Sequence, residues 1–78
     1  MTTAADFTRW AAANAELELR NAAWQRWQRA AYDCRMRLLS LYMHPELETA
    51  EGIAAYRTAK AVETAAYRAY VEIERRRI

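Results

Sequence analysis

The sequence predicts an all-α protein: an antiparallel two-helix hairpin with long helices, assembling into a helical bundle by self-association. Three observations predict it. The only proline, Pro45, and the only glycine, Gly52, lie seven residues apart near the middle of the chain. The segments on either side are rich in alanine and other strong helix formers. Both segments also carry apolar residues in alternating steps of three and four, the spacing of a coiled-coil seam.

The 78 residues make a single domain, with a helix from about 4 to 43, a turn over 44–48 and a helix from about 49 to 76. Thr3 and Asp6 have capping-box spacing at the first helix start. Asn14 and Asn21 are the only soft spots before Met43, and a bend near Asn14 is one reading. His44 precedes proline and is biased away from helical dihedrals, which ends the helix. Thr49 caps the second helix, with Glu51 in its first turn. Arg75, Arg76 and Arg77 fall in its last turn, where cations complement the helix dipole.

The first helix has a stripe of Trp10, Ala13, Leu17, Arg20, Trp24, Trp27, Ala31, Cys34, Leu38 and Leu41. The second has a stripe of smaller residues: Ala55, Ala59, Val62, Ala66, Ala69 and Ile73. Large rings on one side and alanines on the other suit each other. We therefore expect Trp10, Leu17, Trp24, Trp27, Leu38, Leu41, Val62, Ala66 and Ile73 as core. A turn centred near residue 46 sets position n against about 92 minus n. That places Glu16 near Arg76, Arg20 near Glu72 and Arg29 near Glu63. Residues 4 to about 13 then lack a partner and either continue the helix or fold back. Ala54-Ala55-Tyr56-Arg57 recurs eleven residues later as Ala65-Ala66-Tyr67-Arg68, an echo too slight to define a repeat.

Catalytic equipment is sparse. There is one histidine, His44, and one cysteine, Cys34, and the cysteine falls within the apolar stripe as a small hydrophobe. One glycine cannot build a phosphate-binding loop. His44, Glu46, Glu48 and Glu51 cluster near the turn, an arrangement more typical of a solvated loop than of a metal site. The expectation is a non-enzyme with no cofactor, no metal and no small-molecule substrate. The lone cysteine suits a reducing compartment, and charges run through the first twenty residues where a signal peptide would be apolar. Its most apolar stretch, Leu38 to Met43 with only Ser40 polar, is too short to span a bilayer. A cytoplasmic protein without membrane contact is the expectation. The net charge is +2, from a basic set of eleven arginines and Lys60. An Arg and Ala bias of this kind accompanies GC-rich genomes and carries no functional signal.

Two patterns bear on partners. Trp24-Gln-Arg-Trp-Gln-Arg29 interleaves aromatic and basic residues as single-strand nucleic-acid binders do. Helical geometry turns the rings toward the seam and leaves Arg26 and Arg29 as nucleic-acid contacts, joined by Arg35 and Arg37. Arg29, Asp33 and Arg37 also form a surface ladder at i, i+4 spacing. The second pattern is an apolar face away from the seam: Tyr32, Met36, Leu39 and Met43. Ile53, Tyr56, Tyr67, Val71 and Ile78 form a similar face on the second helix. A helix apolar on two faces is normally buried on two faces. We expect Tyr32, Met36, Leu39 and Met43 to bind a protein partner, either another copy or a host protein, with Arg35 and Arg37 as a basic rim. Nucleic acid is the alternative partner, and a structural subunit of a larger complex the third reading.

The architecture resembles small RNA-binding hairpins that dimerise into four-helix bundles. Tyr70-Val-Glu-Ile-Glu74 has the Tyr-x-x-x-acidic spacing of secreted actinobacterial hairpins of the Trp-X-Gly type. The Trp-X-Gly turn itself is absent, the turn here reading Met43-His-Pro-Glu-Leu, so no membership follows. A short, Arg-rich, all-helical chain without catalytic equipment also resembles the small accessory or inhibitor proteins of bacteriophage genomes.

Overall fold

A computed structural model describes residues 3–76, and the expectations for Arg77 and Ile78 lie outside them. Helix α1 spans Ala4–Met43 (40 residues) and α2 spans Ala50–Arg75 (26 residues), with the 3-10 turn Pro45–Leu47 between them. The two helices pack against each other as a hairpin. No strand occurs among the described residues.

Each end has a local cause. The Thr3 hydroxyl accepts from the Asp6 N–H at 3.1 Å, while the Thr3 N–H donates to the Asp6 carboxylate at 3.3 Å. That reciprocal pair satisfies two donors the helix leaves open. At the far end the His44 N–H still reaches the Ser40 carbonyl (2.8 Å), and Pro45 then prevents continuation. The Thr49 hydroxyl accepts from the Gly52 N–H at 3.1 Å to start α2. α1 runs unbroken past Asn14 and Asn21, so residues 4–13 continue the helix and do not fold back.

Gly52 is required by close approach, since its backbone dihedrals are ordinary. A Cβ there would run into the Leu47 carbonyl oxygen, and the Leu41 side chain stands 3.4 Å from the same point. The tight 3-10 turn thus presses its backbone against the first turn of α2.

The seam is made of small residues. Among the described residues the buried side chains are Ala23, Cys34, Ala59 and Ala66. Half-buried Trp27, Leu41, Tyr56, Glu63, Tyr70 and Ile73 flank them. Trp27 sits between two tyrosines, its ring 4.9 Å from that of Tyr67 and 5.5 Å from that of Tyr70, nearly parallel to the latter (26°). Such aromatic pairs contribute about 0.5–1.5 kcal/mol beyond area burial.

Four of the nine expected core residues keep that role: Trp27, Leu41, Ala66 and Ile73. The other five do not. Trp24 and Leu38 are about half exposed, because the seam turns Ala23 and Cys34 toward α2 in place of the bulkier neighbours. Val62 is exposed because Glu63, paired with Lys60 at 3.5 Å, takes the seam position with its aliphatic stem. Trp10 lies on the stretch of α1 that α2 does not reach, and Leu17 lies at the edge of that stretch, bordering a groove with Ile73. Ala69 likewise yields to Tyr70, and Tyr56 moves from the outer face into the seam.

The register differs from expectation by two residues. Arg20 pairs with Glu74 at 3.4 Å, not with Glu72, and Trp27 meets Tyr67, so position n faces about 94 minus n. Glu63 pairs with Lys60, not with Arg29. α2 therefore ends opposite about residue 19, and the preceding arm of α1 extends about 20 Å further at 1.5 Å per residue.

The outcome is a rod of 66 × 19 × 16 Å with a radius of gyration of 18.9 Å. A compact chain of this length would have a radius near 11.5 Å. Its accessible surface is 6592 Å², against about 4,900 Å² for a compact monomer of this mass.

Two outcomes follow for stability. Trp27→Ala should lower unfolding free energy by about 3 kcal/mol, and Trp24→Ala by about 1 kcal/mol, since only the first ring is held on both sides. Equal losses in denaturant melts would refute the seam as described. Gly52→Ala should destabilise the hairpin by about 1 kcal/mol or more, although alanine is the better helix former by about that amount. A variant that melts higher would show that the turn tolerates a side chain there.

Candidate protein-docking face

Tyr32, Met36, Leu39 and Met43 recur on one side of α1 because steps of four and three return to the same face. All four are exposed: Tyr32 63%, Met36 41%, Leu39 48% and Met43 63%. The hairpin covers none of them, since the α1 side chains facing α2 here are Cys34 and Leu41. Tyr42, 81% exposed, widens the same surface.

Sequence reasoning missed how far this surface runs. Phe7, Trp10, Leu17 and Trp24 are also exposed, and the rings of Phe7 and Trp10 pack on each other at 6.0 Å. The pattern was present as a stripe, but reading Trp10, Leu17 and Trp24 as seam concealed it. The second helix offers less: Ile53 and Tyr67 are exposed, while Tyr56 and Val71 are half-buried. Where α2 ends, Ala13, Leu17, Arg20 and Ile73 line a shallow groove of about 310 Å³.

The arginines split into two groups. Arg37 is engaged, its Nε donating to the Asp33 carboxylate at 3.1 Å, which makes half of the expected ladder. Among the described residues no ion pair joins Arg26, Arg29 or Arg35 to an acid in the same way, and all three are exposed. Arg35 stands beside Tyr32 and Met36 on the rim of the apolar surface.

The turn acids do not gather around His44. His44 Nδ1 lies 3.3 Å from a Glu46 carboxylate oxygen. Among the described residues no three of the His, Cys, Asp and Glu side chains converge as a metal-ligand set. No helix there is long and apolar enough to cross a membrane.

Cys34 is buried at the seam. Burial pushes its thiol pKa up, and the hydrogen bond and charge of Glu63 add to that, while Lys60 and Tyr56 oppose it. A raised folded-state pKa leaves the thiol neutral and weakly nucleophilic. Its contribution to stability is complete below the ordinary thiol pKa and declines as pH rises through the raised one. Iodoacetamide at pH 8 should therefore label native Cys34 far more slowly than the unfolded chain, as mass spectrometry would read. Equal rates would place the thiol in solvent. No protein-family model matches the chain, and neither a curated protein nor a solved structure is significantly similar to it.

Proposed function

We propose that this protein is a non-enzymatic interaction module, a small inhibitor, adaptor or regulatory factor of the phage or bacterial kind. It works in the cytoplasm and binds a protein through the outer face of α1. The observation that carries this reading is the exposure of Tyr32, Met36, Leu39 and Met43 in one patch. Contiguous apolar patches larger than a few hundred Å² are uncommon on monomers and mark binding surfaces. Tyrosine and methionine are enriched at interface centres, and methionine adapts to irregular partners. Arg35 at the rim favours an acidic counterpart and speeds encounter more than it adds affinity.

A second reading has its own support. Arg26 and Arg29 are exposed, and among the described residues neither has an ion pair, which leaves their guanidinium groups available to phosphates. RNA or DNA binding through these residues would weaken steeply with salt. A mobility-shift titration at low ionic strength that detects no complex would eliminate it.

For the leading reading, the double change Met36→Glu with Leu39→Glu should preserve helicity by circular dichroism. Its melt should shift by about 1 kcal/mol or less, because both side chains are on the surface. Association with protein, whether self or foreign, should be lost in light scattering and in capture with the tagged chain. If the variant unfolds instead, these residues belong to the interior and the assignment is wrong.

A further inference from the structure

We infer that the outer face of α1 is covered by α1 of a second copy running antiparallel, so that two hairpins form a four-helix assembly joined through their long helices. The inference rests on the docking reading above and names the partner. Its first support is the continuity of the face. Phe7, Trp10, Asn14, Leu17, Asn21 and Trp24 follow steps of three, four, three, four and three, and every one is exposed. That is a heptad stripe which lies beyond α2 at Phe7 and Trp10 and runs beside its C-terminal end at Leu17, Asn21 and Trp24, where it borders Ile73, Tyr70 and Glu74. After a polar interval at Gln25, Gln28 and Arg29 it resumes in Tyr32, Met36, Leu39 and Met43, so apolar residues recur on this side in both halves of α1. Asn14 and Asn21 punctuate it with short polar groups, the kind that restrict a helical interface to one register.

The second support is area. The surface exceeds that of a compact monomer by about 1,700 Å², from the 6592 Å² found and about 4,900 Å² expected. A strip about 60 Å long and about 10 Å wide on each copy would remove about 1,200 Å² in total, which reaches the size class of specific interfaces.

The third support is charge, and it sets direction. Residues 4–23 of α1 carry Asp6, Glu16 and Glu18 against Arg9 and Arg20, a net charge of −1. Residues 24–43 carry Arg26, Arg29, Arg35 and Arg37 against Asp33, a net charge of +3. Parallel helices would set like halves side by side, whereas antiparallel helices set the acidic half against the basic one. Full overlap of Ala4–Met43 on itself puts the two-fold axis between Ala23 and Trp24. The arm that projects beyond α2 then packs on the turn-proximal part of the other α1, which gives the Phe7 and Trp10 pair a cover that α2 does not supply.

Sedimentation equilibrium of the full chain at micromolar concentration should give twice the 9.1 kDa mass. Phe7→Ser with Trp10→Ser lies beyond the reach of α2, so the hairpin should keep its helicity. Dimerisation should nevertheless weaken about tenfold or more, as loss of two aromatic anchors requires. Orientation is read by pairs of spin labels on Cys34→Ala protein. Labels at Asn21→Cys should lie within about 20 Å of each other, and labels at Thr8→Cys about 47 Å apart, from 1.5 Å per residue along antiparallel helices. Short separations at both sites mean parallel helices and overturn the inference, as does a dimer indifferent to the Phe7 and Trp10 changes. A monomeric wild type overturns it too, while leaving a different protein as the occupant of the face. The broader docking reading fails separately, if Met36→Glu with Leu39→Glu leaves every protein association intact.

Discussion

The clamp on Trp27 fixes the geometry on which the rest of the hairpin depends. A seam of alanines and one cysteine brings two helices close but discriminates poorly among registers, because one small residue resembles the next. The indole, held between Tyr67 and Tyr70, cannot be moved by a turn of helix without losing both rings. At the other end the turn backbone against Gly52 fixes where α2 begins. Between those two points the small residues have only to fit. The Arg20–Glu74 pair, partly exposed, follows the register and adds about 0–1 kcal/mol.

Element boundaries were legible in the sequence because their causes are local. Thr3 with Asp6, Pro45 after His44 and Thr49 before Gly52 each act within four residues, and the observed ends fall within one residue of those expected. The rotation of α1 about its axis was not legible. In an alanine-rich helix several heptad frames run side by side, and both Ala23 and Trp24 continue a seam. Close packing selects the smaller residue, which no periodicity reveals. The two-residue register error has a similar origin. Charge pairing cannot distinguish Glu72 from Glu74, whereas the 3-10 turn, with the Thr49 N–H bonded to the Leu47 carbonyl at 2.8 Å, decides it.

The outer face was half legible. Tyr32, Met36, Leu39 and Met43 stood out as a surplus stripe, and exposure places them off the hairpin seam. The contribution of Phe7, Trp10, Leu17 and Trp24 was hidden by the same frame ambiguity that misplaced the seam. A 40-residue helix that gives one side to 26 residues of α2 has another side left over. Its apolar residues are distributed around the axis, so no single partner helix can cover them all.

The connectivity also orders events along the folding path. Leu41 and Gly52 are separated by 11 residues, whereas Arg20 and Glu74 are separated by 54. Loop-closure entropy grows only logarithmically, so ordering the distant end from the open chain costs about 1.4 kcal/mol more than ordering the near one. That difference disappears once the near end has formed, since each further contact then encloses only a few new residues. The chain can therefore close as a zipper, from the Pro45 turn outward, each step holding its gain before the next. Because local contacts speed folding, such a hairpin reaches its seam quickly, and the part of the seam farthest from the turn, at Arg20 and Glu74, is the first to open again.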